Sequence, residues 1–110
     1  MDGKNKSILS KYNPMIWEIV KIWEPTKYFL FGEKEEIYYP VRLEYHKEGY
    51  TPSGVAGAYL REVTFQLVMK YFGVTKPSQL IGKEFRANVN RDAQAALLIL
   101  ALKAEHPDLV

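Results

Sequence analysis

Two runs of aromatic and β-branched residues, separated by a short polar segment, constrain the fold of this chain more than any other feature of its sequence. The runs span residues 28–31 and 37–45, and residues 32–36 between them read Gly-Glu-Lys-Glu-Glu. Side chains of this kind favour strands, and a loop of about five residues that contains glycine can join two antiparallel strands. The sequence therefore predicts a β-hairpin.

The second of these runs alternates between apolar and polar side chains. One face of a strand would carry Tyr39, Val41, Leu43 and Tyr45, and the other would carry Arg42, Glu44 and His46. This alternation predicts one buried face and one face in water. Pro40 has no N–H to donate, which predicts that this arm is an edge strand or carries a bulge at that point.

The segment that precedes the hairpin, residues 15–23, is compatible with two structures. Asn13 and Pro14 are typical of a helix start, and Glu18, Lys21 and Glu24 recur every three residues. The isoleucines, valine and tryptophans of the segment favour a strand instead, and the proline at position 25 ends either element. The sequence leaves the choice between helix and strand open.

The period changes to that of a helix in the second half of the chain. Residues 55–72 place apolar side chains at three-to-four spacing, and Gly73 follows where a left-handed C-cap is expected. Residues 84–89 then alternate as a half-buried strand. A last helix is predicted over residues 91–106, with Asn90 as its cap and Asp92 in its first turn.

These elements together predict an α+β fold. A small antiparallel sheet, built on the aromatic hairpin, is expected to pack against two main helices at about 55–72 and 91–106. The length of 110 residues fits one domain over residues 1–110, and the polar residues 1–10 are expected to form a frayed tail.

Composition narrows the classes of function. The chain has no cysteine, so no disulfide or thiolate metal site is expected, and a formal charge of +2 is too small to imply a nucleic-acid partner by itself. The longest strongly apolar run has eight residues, against the roughly 18 that a membrane helix needs. The first residues lack the apolar core of a signal peptide, so a cytoplasmic protein is predicted.

Few residues can carry catalytic chemistry. His46 lies with Glu44 and Glu48 near a hairpin end, where a solvated strand end is a simpler interpretation than a metal or acid–base site. His106 can stabilise the last turn of a helix without any further role. Gly54 and Gly57 match no phosphate-binding motif. The sequence therefore predicts a protein that is not an enzyme and that needs no cofactor or metal.

The hairpin combines aromatic rings with cations, which is the composition of surfaces that stack bases and neutralise phosphates. The residues of this kind for which we predict nucleic-acid contact are Lys27, Tyr28, Phe31, Tyr38 and Arg42. The competing interpretation is that half or more of the rings fill the core of a small domain.

Two segments further along the chain resemble a known family. Residues 60–74 form a helical pattern that ends in glycine, and residues 80–85 read Leu-Ile-Gly-Lys-Glu-Phe and open a strand. This order of parts, after a strand pair, is similar to that of phage single-stranded DNA-binding proteins of the OB type over residues 15–89. The resemblance implies a viral or mobile-element protein whose hairpin rings and cations contact single-stranded DNA.

The sequence therefore supports three hypotheses of function. The leading hypothesis is a small non-enzymatic binding protein that contacts single-stranded nucleic acid through the hairpin. The alternative is a protein-interaction module, an inhibitor or a homodimeric assembly subunit, that acts by occlusion through an apolar last helix. The interface residues predicted for it are Leu97, Leu98, Leu100 and Leu102. An enzyme with His46 as its acid–base group ranks third.

Overall fold

The computed structural model describes residues 15–30, 34–46, 54–89 and 91–109, with the backbone alone for residues 28–30, 34, 35 and 109. Its strands are β1 (Met15–Ile22), β2 (Thr26–Leu30), β3 (Lys34–His46), β4 (Gly54–Arg61) and β5 (Glu84–Ala87). Its helices are α1 (Glu62–Phe72) and α2 (Ala93–Glu105), and short 3₁₀ turns span Pro77–Leu80 and Pro107–Leu109. The predicted α+β class, an antiparallel sheet with two helices, is confirmed.

The ambiguous first segment is a strand. In β1 the side chains of Trp17 and Ile19 are buried, which is the alternation of a half-buried strand and not the period of a helix. β1 pairs with β3 on one side and with β5 on the other. Pairing on both sides favours the branched and aromatic side chains that made the segment ambiguous.

The long strand β3 organises the sheet. β1 and β2 lie end to end along one side of it, with residues 23–25 between them, and β4 lies along its other side. All of these pairs are antiparallel, and β4 and β5 are not paired with each other in the described part of the chain. β3 is therefore a central strand over most of its length.

Pro40 does not lie on an edge strand, so the first alternative of that prediction is wrong; the bulge beside β3 lies in β1, between Ile19 and Lys21. Its carbonyl accepts a hydrogen bond of 3.0 Å from the N–H of Trp23, and Tyr59 of β4 is its partner on the other side. In a strand the N–H and C=O of one residue point the same way. The missing N–H of Pro40 therefore faces the break between β1 and β2, where no ladder bond is lost.

The predicted hairpin is present, with a shorter connection. β2 pairs with β3 from Thr26, opposite Tyr38, to Leu30, opposite Lys34. Residues 34–36, which were expected in the loop, belong to β3, so residues 31–33 join the two strands. The expected faces of β3 are confirmed, because Val41 and Leu43 are buried while Arg42 is exposed.

The first predicted helix begins seven residues later than expected. Residues 54–61 form β4, and α1 begins only at Glu62. Ala58 and Leu60 are buried while Val55 and Tyr59 are exposed, which is a period of two. Pairing with β3 decides the structure of this segment, in which two glycines weaken any helix. The predicted C-cap is confirmed, since Gly73 has φ 68°.

The cap of the last helix also differs from the prediction. α2 begins at Ala93, and its N-cap is Asp92, whose side chain accepts a hydrogen bond of 3.0 Å from the N–H of Ala95. Asp92 was expected inside the first turn. Asn90, the predicted cap, lies outside the described residues, as do residues 1–10.

The core lies between the two helices and one face of the sheet. Trp17, Leu43, Phe65, Leu97 and Leu100 are among its fully buried side chains. Trp17 donates a hydrogen bond of 3.3 Å from Nε1 to the carbonyl of Ala87, which satisfies its one polar atom. The ring of Tyr39 stacks on that of Phe65 with centroids 4.1 Å apart. No described element packs on the other face of the sheet, which we call the open face.

Candidate functional site

The open face of the sheet is organised as rows of side chains that run across the strands. Residues directly opposite each other on neighbouring strands share a face, and successive rows on one face lie about 6.7 Å apart. Three neighbouring rows differ in chemistry. The first is aromatic (Trp23, Pro40, Tyr59), the second basic (Lys21, Arg42, Gly57) and the third acidic (Glu84, Glu18, Glu44) with Val55 at its end.

The aromatic row presents two exposed rings. Trp23 is 42% exposed and Tyr59 is 53% exposed, although both side chains are large and apolar. They lie on either side of Pro40. Two spacings between neighbouring chain segments, roughly 10 Å in all, therefore separate the backbones of Trp23 and Tyr59. Rings held this far apart on a rigid sheet can each stack on a flat ligand.

The basic row places two cations side by side. Lys21 is directly opposite Arg42, and both side chains are exposed. Among the described residues neither makes an ion pair with an acidic side chain. Like charges opposite each other destabilise a sheet, so the repulsion between Lys21 and Arg42 costs stability. The Lys21 Nζ lies 4.8 Å from the ring centroid of Trp23, which joins the basic row to the aromatic one.

A shallow groove lies where these two rows meet. It has a volume of about 330 Å³ and is lined by side chains and backbone from Trp23, Pro40, Arg42, Gly57 and Tyr59, with Val55 at its end. Its floor is the backbone of Gly57, the one residue of the basic row that has no side chain. The groove therefore offers a flat floor, a cation and exposed rings together.

The acidic row limits the extent of this surface. Glu18 is directly opposite both Glu44 and Glu84, so three carboxylates lie in line across three strands. A polyanion bound at the basic row is repelled from this side. Its path therefore has to run away from the acidic row, towards Tyr38 and Arg61.

Tyr38 and Arg61 form the next row on the other side of the aromatic one. They lie opposite each other, and Glu36 contacts both. The hydroxyl of Tyr38 donates a hydrogen bond of 2.7 Å to Oε2 of Glu36, and Nε of Arg61 lies 3.3 Å from the same oxygen. The side chain of Arg61 is 63% exposed, so most of this cation still faces solvent.

The structure brings together only part of the predicted hairpin site. Tyr38 and Arg42 lie on the open face, four residues apart on β3. Lys27 is opposite Ile37, and residues opposite each other share a face. Ile37 and Arg42 are on opposite faces of β3, so Lys27 lies apart from Arg42. Tyr28 pairs with Glu36 through its backbone. Phe31 lies outside the described residues.

Four residues of this candidate surface were not predicted from the sequence: Lys21, Trp23, Tyr59 and Arg61. Lys21 and Trp23 fall in the segment whose structure was ambiguous, and Tyr59 in residues that were assigned to a helix. A signal was present for Tyr59, because residues 54–61 alternate around it. No sequence signal indicates that this residue lies opposite Pro40.

The predicted interface leucines divide between the core and the surface. Leu97 and Leu100 are 0% exposed and belong to the core, so a partner cannot reach them directly. Leu98 and Leu102 are 48% and 50% exposed on the opposite side of α2. Of the four predicted interface residues, only Leu98 and Leu102 are therefore accessible to a partner.

The two histidines lie apart from the groove. His46 is at the end of β3, opposite Ile16, and its predicted neighbour Glu48 lies outside the described residues. His106 is the C-cap of α2 and donates its backbone N–H to the carbonyl of Leu102. Within the described ranges no three His, Asp or Glu side chains are close enough to hold a metal ion.

Comparisons with known proteins identify no relative. No protein-family model matches the sequence, and no curated protein or solved structure is significantly similar to the chain. None of the helices in the described ranges has the length and apolar character needed to cross a membrane.

Proposed function

We propose that this chain is a non-enzymatic cytoplasmic protein that binds single-stranded nucleic acid on the open face of its sheet. The rings of Trp23 and Tyr59 stack on bases, and Lys21 and Arg42 neutralise phosphates. This surface replaces the hairpin alone as the contact region, and Tyr38 and Arg61 extend it along β3 and β4. The motif resemblance to phage single-stranded DNA-binding proteins points to the same class of ligand.

One observation carries this proposal. Two exposed cations, Lys21 and Arg42, are held in register with no acidic partner among the described residues, beside exposed rings on the same face. Such an arrangement costs stability and exposes apolar surface, and both costs are removed when a phosphate and a base bind. Stacking on aromatic rings beside a positively charged groove is the usual basis of single-strand binding.

Fluorescence titration of the protein with a labelled single-stranded oligonucleotide tests the proposal. Binding should be stronger to single strands than to duplex, because bases in a duplex are already stacked on one another. Truncating either ring, by Trp23→Ala or Tyr59→Ala, should weaken binding by about 1–3 kcal/mol. The control is Tyr71→Ala, since Tyr71 is 41% exposed but lies on α1. Absence of single-strand binding at low salt would remove the proposal.

The salt dependence of binding can distinguish phosphate contacts on one face of the hairpin from contacts on the other. Arg42→Gln should reduce the slope of log affinity against log salt by about 0.7, the value for one phosphate contact on a single strand. Lys27→Gln should reduce it less, because Lys27 lies on the other face of the ribbon. Equal effects of the two substitutions would move the contact back to the hairpin as a whole.

A second candidate function is self-association through α2. Leu98 and Leu102 are exposed on a helix that is apolar almost all round. In an antiparallel pair of α2 helices whose centre lies between Leu98 and Leu102, Leu98 of one copy lies opposite Leu102 of the other, because each is two residues from the centre. The surface is thus complementary to itself, as a two-fold dimer requires.

Sedimentation over a range of concentrations tests this second function. The parent protein should sediment faster as its concentration rises, and Leu98→Glu should remain a monomer. Val63→Glu serves as the control, since Val63 is 68% exposed and belongs to α1 instead of α2. A parent protein that stays monomeric throughout would exclude self-association, and a second chain would then have to be the partner.

A further inference from the structure

Gly57 lies in the middle of β4, where the fold does not require a glycine. Among the described residues, a Cβ atom added at this position would meet only the carbonyl oxygen of Val41, at an ordinary contact distance of 3.7 Å. Glycine weakens a strand because it has no side chain to pack and loses more entropy on folding. In a strand, such a glycine often marks a place where a ligand approaches the backbone closely.

The neighbours of Gly57 form a slot on the open face. Val55 and Tyr59 precede and follow it on the same face of β4, with backbones roughly 13 Å apart. Arg42 is directly opposite on β3. With no side chain at position 57, the slot is wide enough for one flat ring to lie against Tyr59, with the guanidinium of Arg42 beside it.

The backbone of Gly57 adds polar groups at the outer edge of this slot, on the side away from Arg42. The N–H and C=O of Tyr59 point away from β3, since Gln94 binds both of them. Peptide groups two residues apart on a strand point the same way, so those of Gly57 also face the free edge of β4. They have no hydrogen-bond partner in the described part of the chain and can bind the polar edge of a base.

We infer that Gly57 forms the floor of a slot for one nucleobase, which stacks on Tyr59 while the adjoining phosphate contacts Arg42. The inference rests on the proposed single-strand binding and specifies where one base lies. The charge of Arg42 selects a ligand with a phosphate next to its planar ring, and the donor and acceptor of Gly57 select a base over a plain hydrocarbon ring.

Substitutions that fill the slot test the inference. Gly57→Val favours a strand and should leave the denaturation midpoint unchanged or raise it, but it should weaken binding of a single-stranded oligonucleotide at least tenfold. Gly57→Ala should weaken binding less. Should Gly57→Val aggregate, Gly57→Thr places a branched side chain of similar size in the slot.

An oligonucleotide without bases serves as the matched probe. The parent protein and Gly57→Val should bind this abasic strand equally, because no base enters the slot. If Gly57→Val binds the ordinary strand as tightly as the parent while Tyr59→Ala does not, the slot is overturned and single-strand binding stands. If the parent binds no single strand, the slot and the proposed function are both overturned.

Discussion

Gln94 shows how one side chain can close a strand edge. Its Nε2 donates a hydrogen bond of 2.9 Å to the carbonyl of Tyr59, and its Oε1 accepts one of 3.0 Å from the N–H of the same residue. The amide thus pairs with β4 as a neighbouring strand would. It joins the start of α2 to the sheet and covers polar groups that would otherwise be open to pairing with another chain.

Removing this amide should destabilise the protein. Gln94→Ala loses two hydrogen bonds, each contributing about 0.5–1.5 kcal/mol, so the free energy of unfolding should fall by about 1–3 kcal/mol. Gln94→Glu should also destabilise, because a carboxylate cannot donate to the carbonyl of Tyr59. Denaturant unfolding measures both. A Gln94→Glu variant as stable as the parent would show that only the bond from the N–H of Tyr59 matters.

The acidic row of the open face predicts a stabilising substitution. Glu18 is opposite two other glutamates, and a like-charge pair directly across strands is destabilising by roughly 0.2–1 kcal/mol. Glu18→Lys turns both pairs into attractive ones and should raise the free energy of unfolding. Glu18→Gln should give part of the gain. The difference between the variants should shrink in high salt, and a gain that does not depend on salt would point to packing instead.

At the scale of single elements, β2 differs from the rest of the sheet. Among the described elements it makes its main contacts with β3, whereas β1, β3 and β4 also form the core. A two-stranded ribbon by itself is marginally stable in water. Backbone amides of residues 27–30 should therefore exchange with solvent faster than those of residues 41–45, as measured by hydrogen exchange. Equal protection of both segments would contradict this picture.

Helix α2 carries adjacent leucines in opposite environments. Leu97 is fully buried and Leu98 is about half exposed. Leu97→Ala should lower the free energy of unfolding by about 2–5 kcal/mol, because it leaves a cavity in the core. Leu98→Ala should cost less than about 1 kcal/mol in the monomer. At low protein concentration the two changes in the free energy of unfolding should differ clearly. A large loss of stability for Leu98→Ala would indicate a contact that the monomer does not contain.

At the scale of the whole molecule, the buried side chains form one cluster that draws on the sheet and both helices. Such a core predicts that the chain unfolds in a single cooperative step. Loss of helix, measured by circular dichroism, should coincide with exposure of Trp17, measured by fluorescence in a Trp23→Phe variant. Separate transitions would show that the helical layer leaves the sheet before the sheet itself unfolds.

Local patterns in the sequence were sufficient for the elements whose signals lie within a few residues. The hairpin, the alternation of β3 and the left-handed cap at Gly73 all follow from neighbouring side chains and backbone preferences. The α+β class follows from them as well. The same alternation placed Arg42 and Glu44 on the exposed face of β3, whereas Tyr38 was predicted for the binding site because of its aromatic ring.

Only the tertiary structure decided the rest, because strand pairing depends on residues that are distant in the chain. Residues 54–61 have helical spacing and alternation at once, and the pairing with β3 selects the strand. The basic row unites Lys21, Arg42 and Gly57 from three strands, and no local pattern contains that register. The sequence by itself determined which elements this chain can form, and long-range pairing determined which side chains share a surface.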